Sequence, residues 1–251
     1  MTEDKYAGFA DRYDLFYGTF GDYPTARTEF FRRLFSQNHV HTVLDCACGT
    51  GHDLPLFHSL GCNVFGSDIS EAMLSRAREN MTGNGIEIDL KKADYRQLPR
   101  HYDTQFDAVV CLASAIDEMP NRKQVLRAFE SMCGVLRSGG LLVLTQGTSD
   151  RQWKARPRFI PAVITHDFSR VFVIDYRRKG ATYNILDIFH GESGDNLEVW
   201  SIDFAQILLR DNLDELLKAS GFDRIDFYGS YTFEPYNKET SDRLITVAFK
   251  P

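Results

Sequence analysis

Three carboxylates and one glycine turn are the residues whose types and spacing could do chemistry in this chain. Residues 43–53 read VLDCACGTGHD, an apolar run ending in Asp45, with glycines at 49 and 51 opening what reads as a helix. Such turns after a buried strand commonly cradle an anion at a helix N-terminus. A dinucleotide fingerprint needs a third glycine where Leu54 stands, and a phosphate-binding loop needs lysine and a hydroxyl residue where His52 and Asp53 stand. Both phosphate readings weaken.

Asp45, beside the turn, would repel a phosphate and suits a ligand bearing an ammonium group. Twenty-three residues later, NVFGSD ends in Asp68, where a carboxylate can take both hydroxyls of a ribose. A third acid, Asp94 in KKADYRQLP, can accept an adenine amino group, with Tyr95 alongside. Taken singly, Asp45 could cap the following turn and Asp68 the helix opened by Ser70. Their joint spacing favours a cationic adenosine ligand without phosphate, and S-adenosylmethionine fits.

The elements that must hold these groups alternate. Residues 24–37 read as a helix opened by Pro24, 42–47 as a strand, 52–60 as a short helix stopped by Gly61, and 63–68 as a strand. Residues 70–80 form an amphipathic helix with apolar spacing at Ala72, Met73 and Ala77. Strands follow over 86–94 and 106–113, a long helix over 121–136, and a fifth strand over 139–146. Apolar strands alternating with helices predict an α/β fold, with a doubly wound, mostly parallel, seven-stranded Rossmann-like sheet. After residue 150 the rhythm changes. Residues 158–169, 170–178, 182–190 and 197–209 read as tandem strands, an inserted antiparallel β flap with turns near Lys179-Gly180 and 191–196. A helix over 212–222 and strands over 223–231 and 242–250 complete the sheet. The expected division is an N-terminal helical lid (1–39), a cofactor-binding core (40–150), a substrate flap (151–209) and the C-terminal part of the core sheet (210–251).

The balance of 43% hydrophobic and 25% charged residues is that of a globular chain with ample core. A net charge of −6 argues against nucleic acid as a partner. No apolar run approaches the ~20 residues of a membrane helix, and the start does not read as a signal peptide. Five cysteines, an odd number lying mostly in apolar stretches, read as reduced core residues of a cytoplasmic protein. Cys46 and Cys48 lack a second pair of ligands, so no metal is expected.

VLDCACGTG, GSDIS, KADYRQLP and FDAVVCLAS, in this order, resemble the motifs of class I S-adenosylmethionine-dependent methyltransferases over roughly residues 40–146. The resemblance implies that Ala47, Gly49 and Gly51 contact the methionine part, Asp68 the ribose and Asp94 the adenine. It also implies that Leu112 and Ala113 lie near the sulfonium. The family often has glycine where Ala47 stands. Asp45, Ile69, Met73 and Tyr95 complete the expected cofactor set. The aromatic N-terminal run is similar to that of small-molecule N-methyltransferases, especially the glycine N-methyltransferase group and the amino-sugar N-methyltransferases, in which it folds over the cofactor. That implies Tyr13, Phe16 and Tyr17 facing the sulfonium, each worth about 0.5–2 kcal/mol by cation–π attraction, and Arg27 clamping the cofactor carboxylate. Plain core packing is the competing reading of these aromatics, and a surface helix arginine that of Arg27.

FDAVVCLASAIDEMP also resembles the glycine group, with departures. Ser114 stands where that group has asparagine, Glu118 where it has histidine, and Gly147 where an arginine pairs with the amino-acid carboxylate. Losing that arginine argues against glycine as acceptor and leaves another small molecule, an amine first. Glu118 and Asp117, with Tyr13, are the catalytic candidates, the acids binding an ammonium and helping remove its proton; capping the helix near Asn121 is their other reading. Arg158, His166, Tyr176 and Trp200 are flap residues that could face the acceptor. The alternatives are an O- or S-methyltransferase on the same fold, a non-catalytic cofactor-binding regulatory protein, and an NAD-dependent dehydrogenase. Related small-molecule enzymes suggest a homodimer.

Overall fold

Apolar and amphipathic runs alternate through the first half of the chain. In the computed structural model, which describes residues 4–17 and 19–251, they become strands and helices in turn. The strands are β1 (Thr42–Asp45), β2 (Asn63–Asp68), β3 (Asp89–Lys92), β4 (Phe106–Cys111) and β5 (Leu136–Gln146), joined in parallel. Near the C-terminus, β10 (Arg224–Tyr228) and β11 (Leu244–Phe249) pair antiparallel, and β11 also runs antiparallel to β5. The result is one mixed, mostly parallel sheet of seven strands in the order β10-β11-β5-β4-β1-β2-β3.

Successive strand residues point to opposite faces, so the central strands feed two cores. Leu44 and Val109 pack with Phe129 and Leu217 on one face; Val43 and Val110 pack with Phe31 and Phe57 on the other. The helices are built for these faces. In α4 (Glu71–Gly83), the Ser70 hydroxyl accepts the Met73 N–H, and Met73, Leu74, Ala77 and Met81 are buried along one stripe. In α5 (Arg122–Val135) the cap is Asn121, which leaves neither Asp117 nor Glu118 that role. Each such cap is worth about 1 kcal/mol.

The chain leaves β1 toward β2 on one side and returns to β4 on the other. A crevice therefore opens above the C-terminal ends of the strands, where Asp45, Asp68 and, just beyond β3, Asp94 stand. The aromatic segment before β1 supplies α1 (Ala10–Tyr13), a 3-10 turn over 14–16, and α2 (Thr25–Gln37). After β5 comes α6 (Asp150–Ala155). A four-stranded antiparallel sheet follows, β6 (Phe159–Ile164), β7 (Phe168–Tyr176), β8 (Ala181–Phe189) and β9 (Asn196–Phe204), and then α7 (Arg210–Ala219).

Several expected strands are longer than the observed ones. The run 158–169 turns at 165–167, where the Thr165 hydroxyl accepts the Phe168 N–H at 3.0 Å. The run 197–209 leaves the sheet after Phe204, because Gln206 N–H donates to the Asp117 carbonyl and Ile207 N–H to that of Lys179. Of 86–94, only Asp89–Lys92 pairs with β2. All five cysteines are buried free thiols. Among the described residues, no helix is long and apolar enough to cross a membrane, and no cluster of His, Cys, Asp and Glu is placed to hold a metal.

Candidate functional site

The crevice holds two cavities that meet at Tyr13, Tyr17 and Ala113. The first, about 180 Å³, lies over the strand ends. Asp45, Ala47, Gly49 and Asp68 line it from β1, β2 and the glycine turn; Ile69 and Met73 flank Asp68. Asp94, Tyr95, Leu112 and Ala113 close the far side, and Tyr13 and Tyr17 cover it. Twelve of the fourteen expected cofactor positions thus converge on one space.

Two do not line it. Gly51 has φ +81°, and a Cβ there would meet the Ala77 Cβ at 3.3 Å and Met81 at 3.2 Å, so this glycine serves the close packing of turn and α4. Arg27 stands behind Asp53. Its Nη2 lies 2.7 Å from Asp53 Oδ1 without hydrogen-bond alignment, and both Arg27 Nε and Asp53 Oδ1 are buried with no partner. Asp53 itself lines the cavity, so a buried guanidinium with an unused N–H sits one residue away from it.

The electrostatics follow from burial. Desolvation, then the charge of Asp53, pushes Asp45 well above the usual carboxylate range; Asp68 adds to this, and the Ala47 N–H opposes it. Desolvation also raises Asp68, against the N–H groups of Ser70 and Gly49, each 2.9 Å from its carboxylate. Asp94 is lowered instead: burial opposes the shift, but Arg96 grips it with side chain and backbone. Tyr13 is pushed up to about 12, chiefly by burial.

The loop after β4 is held in an uncommon conformation. Ala113 and Ser114 are consecutive left-handed residues, φ +54° and +63°, which costs roughly 1–2 kcal/mol apiece for a side chain with a Cβ. Thr145 fixes both: its hydroxyl accepts the Ala113 N–H at 2.9 Å and its carbonyl the Ser114 N–H at 2.8 Å. The Ser114 hydroxyl then accepts the Gly147 N–H at 2.8 Å. This lock presents Ala113 to both cavities.

The catalytic candidates separate. Tyr13 lies at the junction. Glu118 lines the first cavity, not the second, and its carboxylate is engaged by Lys5 and the Tyr6 hydroxyl from the N-terminal segment. Asp117 lines neither: it is 1% exposed, and its Oδ1 accepts from Gln146 Nε2 at 2.7 Å and Leu208 N at 3.1 Å. An expected base at Asp117 is thereby corrected, since its carboxyl turns into the core.

The second cavity, about 370 Å³, lies beneath the flap. Phe16 lines this space and not the first, and Tyr176 is the one flap candidate that faces it. Trp200 stacks on Phe9, centroids 3.6 Å apart, and pins the lid. Arg158 pairs with Asp175 and is exposed, and His166 sits in the exposed turn after β6.

Sequence reasoning missed Tyr6, Lys5, His52, Thr148 and Tyr183. It also missed Arg170, 0% exposed, which grips Asp187 at 2.6 and 2.8 Å with its guanidinium 4.0 Å from the Phe16 ring. That pair was within reach: in a hairpin turning near Lys179-Gly180, positions 170 and 187 face each other.

A cationic adenosine ligand fits the first cavity. Asp45, Asp53 and Asp68 line it and disfavour a pyrophosphate, and Arg27 Nε is a buried donor without a partner. Comparison with known proteins agrees. A family model described as a methyltransferase domain matches residues 43–140. A glycine/sarcosine N-methyltransferase of Parasynechococcus marenigrum is 33% identical over 127 residues, 50% of this chain and 45% of that protein. The glycine/sarcosine N-methyltransferase of Halorhodospira halochloris is 24% identical, with 99% and 90% covered. The chain's match spans less than half the length of the first curated relatives. A Clostridium acetobutylicum S-adenosylmethionine-dependent methyltransferase structure superposes with a TM-score of 0.81 at 16% identity, covering 98% of each chain. The chain therefore has the class I S-adenosylmethionine-dependent methyltransferase fold and is homologous to small-molecule N-methyltransferases, glycine/sarcosine enzymes among them.

Proposed function

We propose that this chain methylates an amine nitrogen of a small molecule, with S-adenosylmethionine as donor. The observation that carries the reading is the meeting of an acid-rimmed cavity with an aromatic one at Tyr13, Tyr17 and Ala113. When bound, S-adenosylmethionine supplies a methyl group on a sulfonium, whose S–C electron pair stays on sulfur as the N–C bond forms.

The chain's own residues hold and align. Asp45 receives the ammonium of the methionine end, with Arg27 turning from Asp53 toward its carboxylate. Asp68 takes the ribose hydroxyls, and Asp94 and Tyr95 the adenine. Tyr13 and Tyr17 offer ring faces to the positive charge as it moves from sulfur to nitrogen, about 0.5–2 kcal/mol each. The locked 113–114 loop fixes where the two reactants touch, and such alignment can contribute about 7–11 kcal/mol. The names of the relatives support nitrogen as the acceptor atom.

Calorimetric titration with S-adenosylmethionine and with NAD, followed by mass spectrometry of amines incubated with the loaded protein, tests this. Binding of the first cofactor alone, with a gain of one methyl on nitrogen, is expected. Binding of NAD instead, or methyl gain only on oxygen or sulfur, would refute it.

A further inference from the structure

Resting on the methyl-transfer reading, we propose that the acceptor is an apolar amine: a nitrogen on a hydrocarbon or aryl body, with no carboxylate or phosphate beside it. Among the described residues, no charged side chain lines the second cavity. Its walls are rings and branched aliphatics, Phe172, Tyr176, Phe204, Ile185 and Ile202 from the flap, facing Phe16 of the lid. The polar atoms are neutral. The Tyr183 and Thr148 hydroxyls bond each other at 2.9 Å, and the Tyr176 hydroxyl donates to the Pro157 carbonyl.

Four arginines of the flap are engaged elsewhere, and none lines the cavity. Arg170 is buried against Asp187, Arg158 pairs with Asp175, Arg177 with Asp203, and Arg156 lies over the Trp153 ring at 4.8 Å. A buried acceptor carboxylate would therefore be left without a counter-charge, which is costly. Gly147 sharpens the point. It faces the cavity with ordinary backbone geometry, and a Cβ there would meet only the Ser114 hydroxyl at 3.5 Å. A β-carbon is accommodated at this position, and the chain carries no side chain there.

The same lining sets the protonation state. With Asp117 turned into the core and Glu118 held by Lys5 and Tyr6, no carboxylate reaches the second cavity, and burial disfavours an ammonium. The nitrogen enters neutral with its lone pair free. The methylated ammonium gives up its proton to water on release.

The test compares 2-phenylethylamine with phenylalanine, the same skeleton plus an α-carboxylate, and with glycine. Binding to the full chain saturated with S-adenosylhomocysteine is measured by calorimetry, and transfer from methyl-labelled S-adenosylmethionine by kcat/KM. The amine is expected to exceed both amino acids by roughly 100-fold. Gly147→Arg, checked for unchanged cofactor affinity, should narrow the gap to phenylalanine by about 10-fold or more. With the cofactor bound, amino acids equal to or better than the amine, or no binding of the amine, overturn the proposal. An unchanged ratio in Gly147→Arg overturns the placement of the acceptor. Failure to bind the cofactor sinks the methyl-transfer reading instead.

Discussion

Asp68 accepts the backbone N–H of Gly49 at 2.9 Å, so the acid ending β2 holds the glycine turn that follows β1. Its other oxygen accepts from Ser70 at the same distance. The carboxylate thus shapes the rim of the first cavity, which it also lines.

Asp68→Asn keeps the size but loses one acceptor oxygen and the charge. Calorimetry should show S-adenosylhomocysteine affinity falling about 10- to 100-fold, the worth of one or two hydrogen bonds to a charged group. Affinity within twofold of wild type would remove Asp68 from ligand binding.

Binding should also expel a proton. Burial and the neighbouring Asp53 hold Asp45 protonated far above the ordinary range, and a cationic ligand favours its ionised form. S-adenosylmethionine affinity should therefore strengthen as pH rises toward the raised pKa, by up to about tenfold per pH unit. The heat of binding in phosphate and in Tris buffer should differ by the ionisation heat of up to about one proton. Identical heats in the two buffers would contradict this account of Asp45.

Glu118 is expected to act as a latch. Glu118→Ala frees Lys5 and Tyr6, and should raise the KM for S-adenosylmethionine about 3- to 10-fold while kcat stays within about twofold. A kcat loss of about 100-fold at constant KM would restore Glu118 as a catalytic residue.

Asp117 and Gln146 form a buried acid–amide pair in which Asp117 Oδ2 and Gln146 Oε1 both lack a donor. A neutral carboxyl carries the missing proton, consistent with burial raising Asp117 well above the usual range. A raised folded-state pKa gives stability that is full below the unfolded pKa and is lost as pH rises through the folded one. Asp117→Asn, neutral at every pH, should match wild type near about pH 4 and exceed it in Tm increasingly toward about pH 8. Asp117→Ala, which strands Gln146 and the Leu208 N–H, should cost about 2–4 kcal/mol. Asp117→Asn losing stability at all pH values, with an unchanged pH slope, would show the carboxylate to be ionised.

Elements with local causes were legible in the sequence. The apolar runs of β1, β2 and β4, the Ser70 cap and the Asp45–Asp68–Asp94 spacing each depend on neighbours in the chain, and all three acids meet at one cavity. What depends on distant partners was not. The inward turn of Asp117 is set by Gln146 and Leu208, and the hold on Glu118 by Lys5 and Tyr6. Gly51 was expected at the ligand through the resemblance of the glycine turn, whereas its packing against Ala77 and Met81 depends on a helix 26 and more residues away. The end of β9 lies in a hydrogen bond from Gln206 to Asp117, which no periodicity encodes.

The most direct measurement is a crystal structure with S-adenosylhomocysteine. The expected result is ribose hydroxyls on Asp68, the amino group at Asp45, and sulfur facing the junction at Ala113, Tyr13 and Tyr17. An empty crevice, or the nucleoside lodged elsewhere, would contradict it.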